Sequence, residues 1–450
     1  MATEHYGDYQ MQIYLDGLQG KLPRFPVDHA SLERAAVEVL PSWVYSYVAY
    51  GAGDGRTQQA NVDAFSRYAI VPRMLVAPTE REFSVSLFDM QLPTPLFMPP
   101  VGVVGVCSQD MHGDIAAAKA SAQTGVPMVA STLTQDRMEE VRPHSGDTPG
   151  LFQLYTANDK ELARSFLHRA EQSGYKAVAV TLDTWITGWR PHDLNMANFP
   201  QLRGYCLQNY FTDEVFRARL SKTPEEDPGA AALEWAKVFG HPVRWEDLGW
   251  LRESTKLPIL LKGILHPDDV RKARDHGIDG IYCSNHGGRQ ANGGLPTLEA
   301  LPAVVKAAEG MPVLFDSGVR SGSDVAKALA LGATAVGIGR TYLYALVSVE
   351  LTVWCPNCVQ YSQNWTCSWP STASPALPTS EQPAHNGFDR ARAESGASAC
   401  CAAPGARRRQ IASRAELLRR ATFRHREMGH DHPGSGSLSI ARALVDGDGH

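Results

Sequence analysis

His286 and Arg289 stand three residues apart in Ser284-Asn285-His286-Gly287-Gly288-Arg289-Gln290, directly after an apolar run at 280–283. Imidazole is the side chain best placed to take a proton near neutral pH. A guanidinium beside it can grip a carboxylate through two parallel hydrogen bonds. Gly287 and Gly288 between them would let backbone approach a flat ligand with no Cβ in the way. The chemistry this suggests is proton removal next to a held carboxylate. In isolation the loop also reads as a polar turn closing a strand, so its surroundings carry the weight.

Those surroundings have a rhythm. Apolar runs at 96–99, 127–131, 151–155, 177–182, 258–262, 280–283, 313–315 and 335–338 alternate with helical stretches at 114–124, 159–173, 267–276, 298–308 and 323–331. Such alternation builds βα units around a parallel sheet. Eight strands in roughly 250 residues predict an α/β fold of the (β/α)8 TIM-barrel type rather than a doubly wound sheet. Barrel enzymes place their chemistry at the C-terminal strand ends, and polar residues collect there. The third strand ends in Gln153 and Tyr155, and the fourth in Thr181 and Asp183 with Arg190 shortly after. Lys262, then Ser284 and His286, then Asp316 close the next three. Any one could be a satisfied rim residue; together they share one face. After the last two strands come Ser317-Gly318-Val319-Arg320 and Gly337-Ile338-Gly339-Arg340. Glycine turns at these two loops form the usual phosphate site of the fold, backbone N–H groups facing the anion.

Upstream, 31–50 is helical in pattern, with Pro41 opening a second helix at 43–49, and Gly51 to Gly55 form a flexible loop. Residues 1–25 look like an arm laid over the domain. The connection at 184–257 is far longer than a usual βα link. Its Pro/Glu/Asp/Gly stretch at 223–230 is expected to be a mobile surface excursion.

A chain of 450 residues with net charge −5 and pI near 6.3 argues against bulk binding to nucleic acid or a membrane surface. No apolar run reaches the roughly 18 residues that span a bilayer. Met1 to Gln10 hold Glu4, His5 and Asp8 and no apolar core, so no secretory signal is expected and the protein reads as intracellular, cytoplasmic or organellar. Cys107, Cys206 and Cys283 are scattered as reduced thiols would be, whereas the other five cysteines crowd beyond residue 350.

These residues resemble the FMN-dependent α-hydroxy-acid oxidising family, from about Gly7 to Leu343. Ser-Asn-His-Gly-Gly-Arg-Gln at 284–290, Leu-Lys-Gly at 261–263 and Phe-Asp-Ser-Gly-Val-Arg at 315–320 sit in family order. The opening Gly7-Asp8-Tyr9-Gln10 with Ile13-Tyr14, the run Pro100 to Gly105 and the long loop before Lys262 are most similar to the lactate 2-monooxygenase subgroup. The resemblance implies FMN as cofactor, a small 2-hydroxy acid and O2 as reactants, and a homo-oligomer. It makes His286 the base, with Asp183 orienting it. Arg289 and Arg190 would hold the substrate carboxylate, Tyr47 would add a hydrogen bond, and Tyr155 would lie near the substrate hydroxyl. Lys262 would sit at the flavin N1–O2 edge. Pro100, Val101, Gly102, Ser131, Gln153 and Thr181 would line the isoalloxazine, and Ser284 would stand beside it. Asp316 would bind the ribityl chain, and Gly318, Arg320, Gly339 and Arg340 the phosphate. Gly102 would leave room for oxygen at the N5 edge. In the monooxygenase subgroup the keto acid stays bound and is decarboxylated by peroxide before release.

The resemblance ends after Tyr342-Leu343-Tyr344, which divides the chain into a catalytic domain at 1–345 and a divergent tail at 346–450. Val347, Val349 and Val353 alternate as a strand would, and the barrel's last outer helix is not evident. Cys355-Pro356-Asn357-Cys358 has no second pair at zinc spacing, Cys400 and Cys401 being adjacent, so no metal is expected. The arginine-rich run at 407–426 could form a basic amphipathic helix, but the tail's Ser/Pro/Arg composition favours disorder. Two other readings stay open. One is a catalytically silent or unstable flavin-binding relative; the other is a different phosphate-binding barrel enzyme, which gives no reason for paired Arg190 and Arg289.

Overall fold

Strands buried on both faces must be apolar on both, because one face meets the barrel interior and the other the surrounding helices. In the computed structural model, which describes residues 8–23, 25–72, 74–75 and 82–347, that is how the apolar runs are used. A hairpin of β1 (Val85–Leu87) and β2 (Met90–Leu92) precedes eight parallel strands. These are β3 (Leu96–Phe97), β4 (Val129–Ala130), β5 (Leu151–Leu154), β6 (Val178–Thr181), β7 (Ile259–Lys262), β8 (Gly280–Cys283), β9 (Val313–Phe315) and β10 (Ala335–Gly337). Their order, β3-β10-β9-β8-β7-β6-β5-β4, closes through a parallel bridge between Met98 and Met128. The fold is a TIM barrel, as the alternation of runs and helical stretches predicts.

The period of two along each strand decides which side chains reach the mouth. On β7, Leu260 belongs to the interior cluster while Ile259 and Leu261 pack outward against the helices. Tyr282 on β8 and Leu314 on β9 likewise point inward between outward neighbours. Carrying that alternation one step further brings Gln153, Thr181, Lys262, Ser284 and Asp316 inward at the C-terminal end, all of them buried. The opposite end is plugged by the hairpin, whose Leu87, Met90 and Leu92 complete the interior cluster.

The helices stand within a residue or two of their expected positions. Asp159 accepts from Glu161 N and Leu162 N to cap Lys160–Gln172, and Ser321 with Asp324 makes a capping box for Gly322–Ala330. Three expectations are corrected. The stretch at 223–230 is not a loose excursion: Glu226 N bonds Thr223 O, and Asp227 caps Pro228–Val238, which buries Trp235. The N-terminal helix Asp8–Gly17 has Tyr9, Ile13 and Asp16 half-buried, and Phe25 beyond it packs into the core. The strand expected at 127–131 shrinks to two residues. Residues 345–347 are helical, not strand-like, because Arg340–Val347 forms a helix buried from Thr341 onward. This helix packs on His29–Val39 through a His29 Nδ1–Thr341 Oγ1 bond of 2.9 Å and a Tyr344 hydroxyl that donates to Glu33 at 2.9 Å. Barrel cover at this seam therefore comes from a short helix and an N-terminal one together. The tail from 348 on, with its cysteines and arginine run, lies outside the described residues.

Candidate active site

At the mouth, Asp183 follows β6 and His286 follows β8, two strands further round with β7 between them. His286 Nδ1 lies 2.9 Å from Asp183 Oδ1, and Thr184 Oγ1 donates to that same oxygen at 2.8 Å. An imidazole whose Nδ1–H is given to a carboxylate keeps its Nε2 lone pair for a proton. Burial opposes ionisation of Asp183, but Lys262, with Nζ 3.9 Å from Oδ2, and His286 outweigh it and hold the carboxyl below its usual range. Burial in turn pushes His286 down; Asp183 opposes the shift, and Lys262 and Arg190 add to it. His286 takes a left-handed φ of 59°, unusual outside glycine and common at functional sites.

Next to this pair runs a second relay. Lys262 Nζ donates to Ser284 Oγ at 3.2 Å, and Ser284 Oγ donates to Asp316 Oδ1 at 2.6 Å. Tyr282 OH donates to Asp316 Oδ2 at 2.7 Å, and Ser317 Oγ to Oδ1 at 2.8 Å. On the facing side, Ser131 Oγ donates to Gln153 Oε1 at 3.0 Å, and Gln153 Nε2 to Thr181 Oγ1 at 2.8 Å. These bonds fix the polar groups at the C-terminal ends of the strands.

Two guanidiniums meet at Tyr47, on the helix Ser42–Ala49: Arg289 lies 4.7 Å and Arg190 5.3 Å from its ring centroid. Arg190 is anchored by Arg289 O at 3.2 Å and Gln290 Oε1 at 2.8 Å, and Arg289 Nη1 by Tyr50 O at 2.6 Å. Each keeps one buried nitrogen without a partner, Arg190 Nη1 and Arg289 Nη2. Burial, reinforced by Arg190, brings Arg289 down to about 10. Two buried cations with unspent donors are built to receive an anion.

These groups line one cleft of about 970 Å³ with Pro100, Val101, Gly102, Tyr155, Asp316, Gly318, Arg320, Gly339 and Arg340. Of the other residues expected from the sequence, Asp183, Ser284 and Ser131 bond residues of this lining, whereas the side chains of Gln153 and Thr181 bond each other and do not line the cavity. Arg340 also bolts the last loop down, donating to Val48 O at 3.0 Å and Gln58 Oε1 at 3.0 Å; burial, then Arg320 and Arg289, depress it to about 9. The two glycine readings change. A Cβ on Gly288 would meet Gln58 N at 2.5 Å, so this glycine admits the helix Arg56–Asp63 rather than a ligand. A Cβ on Gly102 would meet Leu133 at 3.2 Å, so the missing methyl opens little room. Sequence reasoning missed Thr184, Tyr282, Ser317 and Gln290. Thr184 and Ser317 adjoin residues that were singled out, Gln290 closes the loop itself, and Tyr282 is hidden inside an apolar run.

Residues 36–350 match the model for FMN-dependent dehydrogenases. The chain belongs to that family. Its cofactor is FMN, and it is an oxidoreductase acting on 2-hydroxy acids. It is 41% identical over 352 residues to an FMN-dependent alpha-hydroxy acid dehydrogenase of Penicillium citrinum, covering 77% of this chain and 87% of that one. It is likewise 41% identical over 335 residues to an L-lactate oxidase of Lysinibacillus sphaericus, covering 74% and 86%. A crystal structure of mandelate oxidase superposes with a TM-score of 0.65 at 32% identity, over 76% of this chain and 93% of that one. The residues present fit FMN: a cavity bordered by hydrogen-bonded polar side chains, a buried lysine, and the cations Arg320 and Arg340 beside glycine turns. Among the described residues of this dehydrogenase-family chain, no His, Cys, Asp and Glu side chains gather as a metal site, and no helix is long and apolar enough to cross a membrane.

Proposed function

We propose that this protein oxidises a small L-2-hydroxy acid of the lactate kind with O2. FMN supplies the two-electron sink. Arg190 and Arg289 hold the substrate carboxylate through the nitrogens they leave unspent, and Tyr47 fixes both guanidiniums. Tyr155 lies by the substrate hydroxyl. His286 takes the proton at Nε2, and Asp183 holds the resulting imidazolium. Lys262 would offset negative charge on the reduced isoalloxazine, Asp316 would hold the ribityl chain, and the glycine turns with Arg320 and Arg340 would hold the phosphate. The observation that carries this reading is the His286–Asp183 pair set beside two buried guanidiniums with free donors.

The keto acid keeps its carboxylate, so the same guanidiniums retain it after oxidation. We therefore assign the oxidative decarboxylation outcome: O2 takes two electrons and two protons to give hydrogen peroxide, which converts bound pyruvate to acetate, CO2 and water. Under air, L-lactate should then yield acetate and CO2 with little free peroxide. Stoichiometric pyruvate and peroxide would reassign the protein as a simple oxidase.

A further inference from the structure

A second cleft, of about 1210 Å³, opens beside the first and shares Thr187, Arg190, Phe199 and Phe239 with it. Its walls are mostly apolar, among them Trp185, Ile186, Leu194, Leu202 and Trp235. Trp185 and Ile186 stand 52% and 61% exposed, large apolar surface held at the opening rather than packed away. One lining residue does not match its setting. Asn198 is only 6% exposed, yet neither its side-chain Nδ2 nor Oδ1 has a partner. Its backbone is satisfied, N donating to Asp193 O at 3.1 Å, so the unspent capacity belongs to the amide alone. A buried amide offers two donors and an acceptor, and such groups are rarely left unmatched.

We propose that the second cleft receives the side chain of the 2-hydroxy acid, and that Asn198 hydrogen-bonds a polar group near its far end. This rests on the first cleft being the hydroxy-acid site, and the shared Phe199 and Phe239 are the passage between the two. Arg190 spans both cavities, so an acid whose carboxylate it grips has its side chain directed along the shared wall. Lactate fills the first cleft alone. Beyond lactate, the class this cleft admits is a longer L-2-hydroxy acid with an apolar, aryl-like body and a terminal hydroxyl or carbonyl. A site built to bond such a group discriminates against the analogue lacking it, because its own polar atoms are otherwise left unpaired.

The test compares L-lactate, L-3-phenyllactate and L-3-(4-hydroxyphenyl)lactate as substrates of the full-length holoenzyme. The hydroxyphenyl acid should exceed phenyllactate in kcat/KM by roughly tenfold or more. Asn198→Leu should abolish or reverse that preference and leave lactate kinetics unchanged. Ala236→Trp, which fills the second cleft from its rim, should depress both aryl acids and spare lactate. If wild type fails to prefer the hydroxyphenyl acid, or Asn198→Leu keeps the preference, the proposal is overturned while lactate turnover still upholds the first reading. If no 2-hydroxy acid reduces the flavin, the first reading itself has failed.

Discussion

Replacing His286 with Gln is expected to leave the protein yellow and to slow flavin reduction by several powers of ten. Glutamine keeps polar bulk at the position but offers no comparable proton acceptor. A positioned base contributes roughly 10²–10⁴-fold, and alignment of the reacting atoms adds to that. The pH dependence gives a second signature. Burial, aided by Lys262 and Arg190, holds His286 below the ordinary imidazole value despite Asp183. The neutral, proton-accepting form therefore persists to lower pH than an unperturbed histidine would allow. Wild-type kcat/KM should fall only on the acid side of that ordinary value, and the Gln variant should lack this limb. Near-normal reduction in the variant, followed anaerobically by loss of flavin absorbance, would remove His286 from the role of base.

Arg289→Lys is the second large effect. Lysine keeps the charge but not the fork, and loses both the bond to Tyr50 O and the unspent Nη2. Truncating a partner of a buried charged pair costs about 2–5 kcal/mol. With charge retained, the lower part of that range applies, so kcat/KM should drop roughly 30- to 100-fold, mostly through KM. Flavin content should not change, since Arg289 faces the substrate end. Unchanged kinetics would take Arg289 out of the carboxylate site.

Much of this site was legible because a parallel barrel writes itself into sequence twice. Its strands are apolar on both faces, so 151–154 and 259–262 stand out as runs, and the polar residue in each, Gln153 or Lys262, marks the mouth. What stayed hidden was either too short or too long-range. The hairpin at Val85–Leu87 and Met90–Leu92 has three-residue strands with Ser86 and Gln91 facing out, too brief for a pattern. The bracing of the His286 loop by the helix Arg56–Asp63 joins residues more than two hundred positions apart, as in the Asn61–Asn285 pair at 2.8 Å. Gly288 therefore read as a place for a ligand when it is a place for backbone. The end of the barrel misled for a different reason. The alternating valines begin at Val347, whereas Val347 itself lies in a helix fixed by Thr341 and Tyr344 packing against His29 and Glu33.

The central claim is that one buried constellation joins FMN to a 2-hydroxy acid, and anaerobic titration of the purified holoprotein with L-lactate tests it most directly. The account predicts a yellow protein whose absorbance near the flavin maximum bleaches fully without oxygen and returns when air is admitted. A yellow protein that keeps its colour with lactate and with the aryl 2-hydroxy acids would contradict it.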